Sequence, residues 1–144
     1  TSNLIKKSRA RKGIQEMLEK KEVEERYYYR QSSYNYKELR KSIMRKDTAY
    51  QWRRVYVREN QSKMCPTLTA NMGTGGHNVP LILDDHGIRK LTPKECFRFQ
   101  GFRNIKFPKD VPNTQRYKQA GNSVTVNLIH RIASLINDSL LKKY

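Results

Sequence analysis

Acid is scarce in this sequence. Thirteen Asp and Glu face 30 Lys and Arg, a formal net charge of +17 over 144 residues. An enzyme of neutral substrates gains nothing from that imbalance, whereas a polyanion binder neutralises phosphates and releases counterions with it. Long apolar runs are also missing. None approaches the roughly 18 residues of a spanning helix, and no basic amphipathic helix with an aromatic face suggests a membrane-surface role. Cysteine is nearly absent: Cys65 and Cys96 stand far apart, three histidines are scattered, and no CxxC occurs. A zinc site is therefore not expected, and two reduced thiols in a cytoplasmic protein are the plain reading. No signal peptide is visible.

What remains is a basic, aromatic-sprinkled chain. Lys6, Lys7, Arg9, Arg11 and Lys12 form a cationic cluster, and Ile14, Met17 and Leu18 suggest a short helix over residues 14–20. Residues 1–21 read as a basic leader or linker. Tyr27, Tyr28, Tyr29, Tyr34 and Tyr36 then interleave with charges, as stacking platforms or as half-buried packing residues. Leu39 and Ile43 give residues 36–44 a helical look. Residues 50–60, rich in β-branched and aromatic types, read as the clearest strand. An extended piece follows at residues 65–70, then a glycine-rich loop holding Gly73, Gly75 and Gly76. Residues 79–83 make another strand, closed by a turn at residues 84–87.

The best-specified element is the helix over residues 92–100. Thr92 is a good N-cap, Pro93 fits the first helical position, and Glu95 completes a capping box; Gly101 ends it. Residues 104–115, with Pro108 and Pro112, read as a connecting loop. Residues 117–124 read as a tight passage that puts Gly121-Asn122-Ser123 at a helix start. Free N–H groups there suit an anion, although plain capping by Asn122 or Ser123 explains the pattern equally. The last helix carries Val124, Leu128, Ile132, Leu135 and Ile136, an apolar stripe that needs a cover. The fold class is α+β: a small, irregular β-rich domain over residues 22–103, then a loop and terminal helix over residues 104–144.

Candidate chemistry sits in three places. The glycine loop is neither a Walker nor a dinucleotide loop, but it permits close backbone approach to a flat or charged ligand. Thr67, Leu68 and Thr69, just before it, offer hydroxyls and backbone for base edges or phosphates. Arg54 is the residue type that pairs bidentately with guanine, or it is an ordinary surface arginine.

Arg89-Lys90-Leu91-Thr92-Pro93-Lys94-Glu95-Cys96, Phe99-Gln100-Gly101-Phe102 and Tyr117-Lys118-Gln119-Ala120-Gly121-Asn122-Ser123-Val124 resemble, in order and spacing, the last two motifs of bacterial DNA (cytosine-5) methyltransferases. Gln51 to Tyr56, and Thr67-Leu68-Thr69 with its glycine loop, look like that family's target-recognition region. The resemblance implies a recognition domain beside a Rossmann-like catalytic domain mostly missing from this chain, with double-stranded DNA between them. It implies methyl transfer from S-adenosylmethionine to C5 of a flipped cytosine, in a restriction-modification setting. Asn122 and Ser123 would touch the cofactor. Arg54 would contact guanine, Gln51 would sit near the space left by the flipped base, and Thr67-Leu68 would match the recurring recognition dipeptide. The family's Pro-Cys nucleophile motif, its Asn-Val glutamate and its glycine-rich cofactor motif have no counterpart here. Cys65 precedes Pro66, and Cys96 belongs to the helix motif. No catalytic residue is thus expected, and the chain alone should be inactive. A stand-alone DNA-binding module is the alternative. An RNA-binding protein of ribosomal type would explain the charge but not the motifs.

Overall fold

The computed structural model describes residues 13–73 and 78–141. The cluster between Lys6 and Lys12, and Gly75 and Gly76, lie outside the described residues. The helix expected over residues 14–20 is only a 3-10 turn, Ile14–Met17, with Ile14 its one buried residue. A single buried contact does not hold a longer helix. Helix α1, Tyr36–Ser42, buries Leu39 and is followed by buried Ile43, as their spacing predicts.

Residues 50–60 form a hairpin rather than one strand. Strand β1, Tyr50–Arg53, pairs antiparallel with β2, Tyr56–Glu59, and Arg53 faces Tyr56 across the turn. The chain reverses at Arg54 and Val55, without the Gly, Asn or Asp that tight hairpins favour. Strand β3, Leu81–Leu83, and β4, Ile88–Lys90, form a second hairpin. The Asp84 carboxylate accepts from the N–H groups of His86 and Gly87 at its turn. The sheet order is β2-β1-β3-β4, antiparallel throughout.

Alternation along the strands gives the sheet two faces. Tyr50, Trp52, Val57, Leu81, Leu83 and Ile88 point to one side, where Leu39 and Ile43 cover them. Ala49 and Ile82 point to the other, into the larger core with Leu68, Met72, Leu91, Cys96, Phe97 and Tyr117. Tyr27 and Tyr28 are packing residues, whereas Tyr34 is fully exposed.

Helix α2, Pro93–Phe99, starts as its sequence dictates. The Glu95 N–H donates to Thr92 Oγ1 at 3.2 Å, and the Thr92 N–H donates to Glu95 Oε2 at 2.7 Å. Gly101, at φ 96, follows its C-cap. Two expectations fail just beyond. Asn113 to Gln115 are not loop: helix α3 runs Asn113–Asn122. Gly121, Asn122 and Ser123 therefore end one helix instead of starting the next. Helix α4, Val126–Leu141, follows, so Val124 lies outside it. Tyr117 anchors α3 by donating its hydroxyl to the Leu91 carbonyl at 2.6 Å.

Candidate nucleic-acid interface

Arg54 occupies the tip of the β1–β2 hairpin with a φ of 55. The Val55 N–H donates to the Arg53 carbonyl around it, the ring of a three-residue turn. A left-handed backbone costs a bulky L-residue roughly 1 kcal/mol or more, so arginine is not there for the turn's sake. Arg53, Arg54 and Val55 are all exposed, Val55 by 82%.

Behind the tip, one face of the hairpin is polar. Gln51 and Arg58 are cross-strand partners, and Arg53 Nη2 donates to Gln51 Oε1 at 3.0 Å. These side chains form one wall of a cleft of about 330 Å³; Thr67 and Thr69 form the other. Residues 65–69 form no regular element, and exposure alternates from Thr67 to Thr69. Thr67 and Thr69 face out, and Leu68 is buried in the core. Apolar burial takes the Leu68 side chain inward, which leaves the backbone of the segment and the two threonine hydroxyls as its outward groups.

Gly73 has a structural use: a Cβ there would overlap the Thr114 carbonyl, so this glycine lets the loop approach α3. Gly121 does the same from the other side, against Thr69 and Ala70. Asn122 and Ser123 do not offer a helix N-terminus. The Ser123 hydroxyl donates to the Ala120 carbonyl at 2.7 Å, and its N–H donates to Gln119, which is C-terminal capping. Asn122 is exposed.

Ser123 nonetheless lines a cavity of about 370 Å³ together with Thr67, Gln100, Gly121 and Thr125. Gln100 organises it. Its carbonyl accepts from the Val126 N–H at 2.8 Å, its Nε2 donates to the Ala120 carbonyl at 3.3 Å, and Thr125 Oγ1 donates to its Oε1 at 2.9 Å. It therefore ties α2 to the end of α3 and the start of α4. Sequence reasoning noted Gln100 only as part of a motif. Arg53 and Arg58 also line the cleft, and a surface arginine carries no sequence mark of what it faces.

Burial disfavours the thiolate form of both cysteines. Burial pushes Cys65 up to about 12 and Cys96 well above the usual thiol range. Among the described residues no cluster of three His, Cys, Asp or Glu could hold a metal ion. Among them, too, no helix is long and apolar enough to cross a membrane.

A buried ion-pair network supports this face from below. Arg89 sends both terminal nitrogens to Glu95 at 2.8 Å and its Nε to Asp84. Burial works against the Arg89 charge, but Glu95 and Asp84 outweigh it and raise its pKa. Glu95 Oε1 also accepts from the Glu19 N–H at 2.7 Å, and Arg98 pairs with Glu19 at 2.8 Å. Residues 13–19 are thereby fastened to α2.

Helix α4 is different. Leu128, Ile129, Ile132, Leu135 and Ile136 recur at helical spacing, and each is at least 41% exposed. No residue of α4 is buried.

A family model described as C-5 cytosine-specific DNA methylase matches residues 1–138. The type II methyltransferase M.Bsp6I of Bacillus sp. (strain RFL6) is 54% identical over 120 residues, covering 83% of this chain and 38% of that protein. The type II methyltransferase M1.ScrFI of Lactococcus lactis subsp. cremoris is 39% identical over 89 residues, 60% of this chain and 22% of its own length. The DNA-cytosine methyltransferase of Escherichia coli (strain K12) is 41% identical over 58 residues, 38% of this chain and 12% of its own. The chain thus spans well under half the length of these relatives. No solved structure gives a significant match.

Proposed function

Because this chain belongs to the C-5 cytosine-specific DNA methylase family, we propose that it is the DNA-reading portion of a type II modification enzyme acting in the cytoplasm. The complete enzyme transfers a methyl group to C5 of a cytosine flipped out of a specific duplex site. Arg54 reads a guanine in the major groove, and Gln51 stands near the gap that the flipped base leaves. Thr67 and Thr69 contact the DNA through their outward hydroxyls. Leu68 holds that segment in register by packing inward. We assign Gly73, Gly75 and Gly76 of the glycine loop to DNA contact through close backbone approach.

The observation that carries this reading is Arg54 itself: a bulky, exposed cation kept at φ 55 on a hairpin tip. A turn chosen for stability would use Gly or Asn. The thiolate that attacks C6 and activates C5 belongs to the rest of the enzyme. Burial raises the pKa of Cys65 and Cys96, which supports assigning the thiolate elsewhere.

S-adenosylmethionine supplies the methyl group when bound. The exposed amide of Asn122 and the polar cavity edge at Ser123 fit one end of it, since its amino-acid moiety needs both donors and acceptors. These residues form one wall, and a Rossmann-like catalytic region forms the other. The bare stripe of α4 docks on that region. A stand-alone DNA-binding module would have to cover the stripe itself, and the stripe is bare.

The test is complementation. This chain is mixed with the N-terminal part of its 54% identical relative, and radiolabelled methyl transfer onto duplex DNA is measured. Each part alone should be silent and the mixture active. Turnover by this chain alone would overturn the assignment of roles.

A further inference from the structure

Among the described residues the arginines differ in what they hold. Arg26, Arg30, Arg45, Arg89 and Arg98 each pair with a carboxylate. Arg53, Arg54 and Arg58 of the β1–β2 hairpin hold none among the described residues, as is also true of Arg40, Arg103 and Arg116, but the hairpin gathers three of them at one end of the sheet. A neighbouring acid is not far away: Glu59, next in sequence to Arg58, is within 3.5 Å of Arg45 instead. Strand alternation explains it, because Glu59 pairs with Tyr50 on one face and Arg58 pairs with Gln51 on the other.

The Arg58 face opens onto the cleft shared with Thr67, Thr69 and Asn78, and among the described residues no carboxylate lines it. Arg53 is steadied by Gln51 at the same wall. Position along the hairpin distinguishes Arg58 from Arg54. The strand pair at the turn is Arg53 with Tyr56, and Arg58 lies two residues behind Tyr56. That is about 7 Å at roughly 3.3 Å per residue. Base-edge contacts specify and phosphate contacts fix register, so a cation set back from the tip suits the backbone.

Resting on the DNA-reading role proposed above, we infer that this cleft grips a DNA backbone phosphate. Arg58 is its charged contact, with Asn78 a neutral donor on the facing wall. Guanidinium and phosphate match in a bidentate pair, and an acid-free lining leaves that charge uncompensated until the polyanion arrives. Arg58 then sets register and affinity and carries no sequence information.

The test measures binding of this chain to two short fluorescent duplexes of unrelated sequence over a range of salt. Arg58→Ala should weaken both equally and reduce the slope of log K against log salt by about 0.9. Arg58→Lys should keep the slope. Lys109→Ala, which removes the same charge from an exposed loop outside the cleft, should also keep it. An unchanged slope in Arg58→Ala overturns the inference. So does an equal loss in Lys109→Ala, or a loss confined to one duplex. Tighter binding of the cleft to RNA of the same sequence would also overturn it. If the unaltered chain binds no duplex at any salt, the DNA-reading role falls first and this inference with it.

Discussion

Gly121 of α3 lies so close to Thr69 that a methyl group at position 121 would overlap the Thr69 carbonyl. The segment that presents Thr67 and Thr69 is therefore seated on a helix backbone, with no side chain between them. Gly73 repeats the arrangement against Thr114. The threonines are thus seated on the core, which suits the contact role proposed for them.

Gly121→Ala should lower stability by about 1–3 kcal/mol, the usual cost of overpacking where backbone must move. Thermal melting measures it. Duplex binding should fall as well, because the shift displaces Thr69. A variant of unchanged melting temperature would show that the two segments part easily.

Arg54 separates stability from reading. Arg54→Gly relieves the left-handed φ and should leave the melting temperature level or higher. It should also cost about 1–3 kcal/mol of discrimination at one base pair. Competition binding against duplexes altered one pair at a time measures this. Equal loss on every duplex would count against direct readout.

Glu95→Gln should destabilise the fold by about 3–5 kcal/mol, since it strips the bidentate partner from a buried guanidinium. Replacing Arg89 and Glu95 together with apolar residues should recover part of that loss, because no unpaired charge remains. Chemical denaturation of the single and double variants reads the difference.

Acid should act through Asp84. Burial raises its carboxyl, but the Arg89 hydrogen bond, the His86 N–H, the Arg89 charge and the Tyr28 hydroxyl outweigh that and lower it. A carboxylate depressed in the folded state contributes stability that is complete above its unfolded pKa of about 4. That contribution is lost as pH falls through the lower folded value. Melting temperature should therefore hold from neutral pH to about 4 and then drop. Asp84→Asn should lie lower at neutral pH and lose less below pH of about 4.

Ile132→Asp should leave the melting of this chain unchanged, since its side chain is 43% exposed on α4. It should abolish complementation by the catalytic region. A normal methyl-transfer rate in that mixture would remove α4 from the docking surface.

What the sequence determined by itself is what neighbours in the chain decide. The capping box of Thr92 and Glu95 closes within one helical turn, so its residues dictate it before any tertiary contact forms. The apolar stripe from Leu128 to Ile136 follows from helical spacing alone, and so does the pairing of Leu39 with Ile43. Tertiary structure decided the rest. Residues 50–60 bend into a hairpin although Arg54 gives no turn signal, because Gln51 to Arg53 and Tyr56 to Arg58 find each other across the sheet. Asn113–Asn122 is helical between Pro112 at its start and Gly-Asn at its end, and it is fixed in place because Gly73 and Thr69 pack on its backbone and Tyr117 reaches Leu91. Likewise only folding sends Leu68 inward, and only folding gathers Asp84 and Glu95 around Arg89 and leaves Arg58 facing an acid-free cleft. Charge can be counted along a chain, but which charges neutralise one another depends on which residues the fold brings within reach.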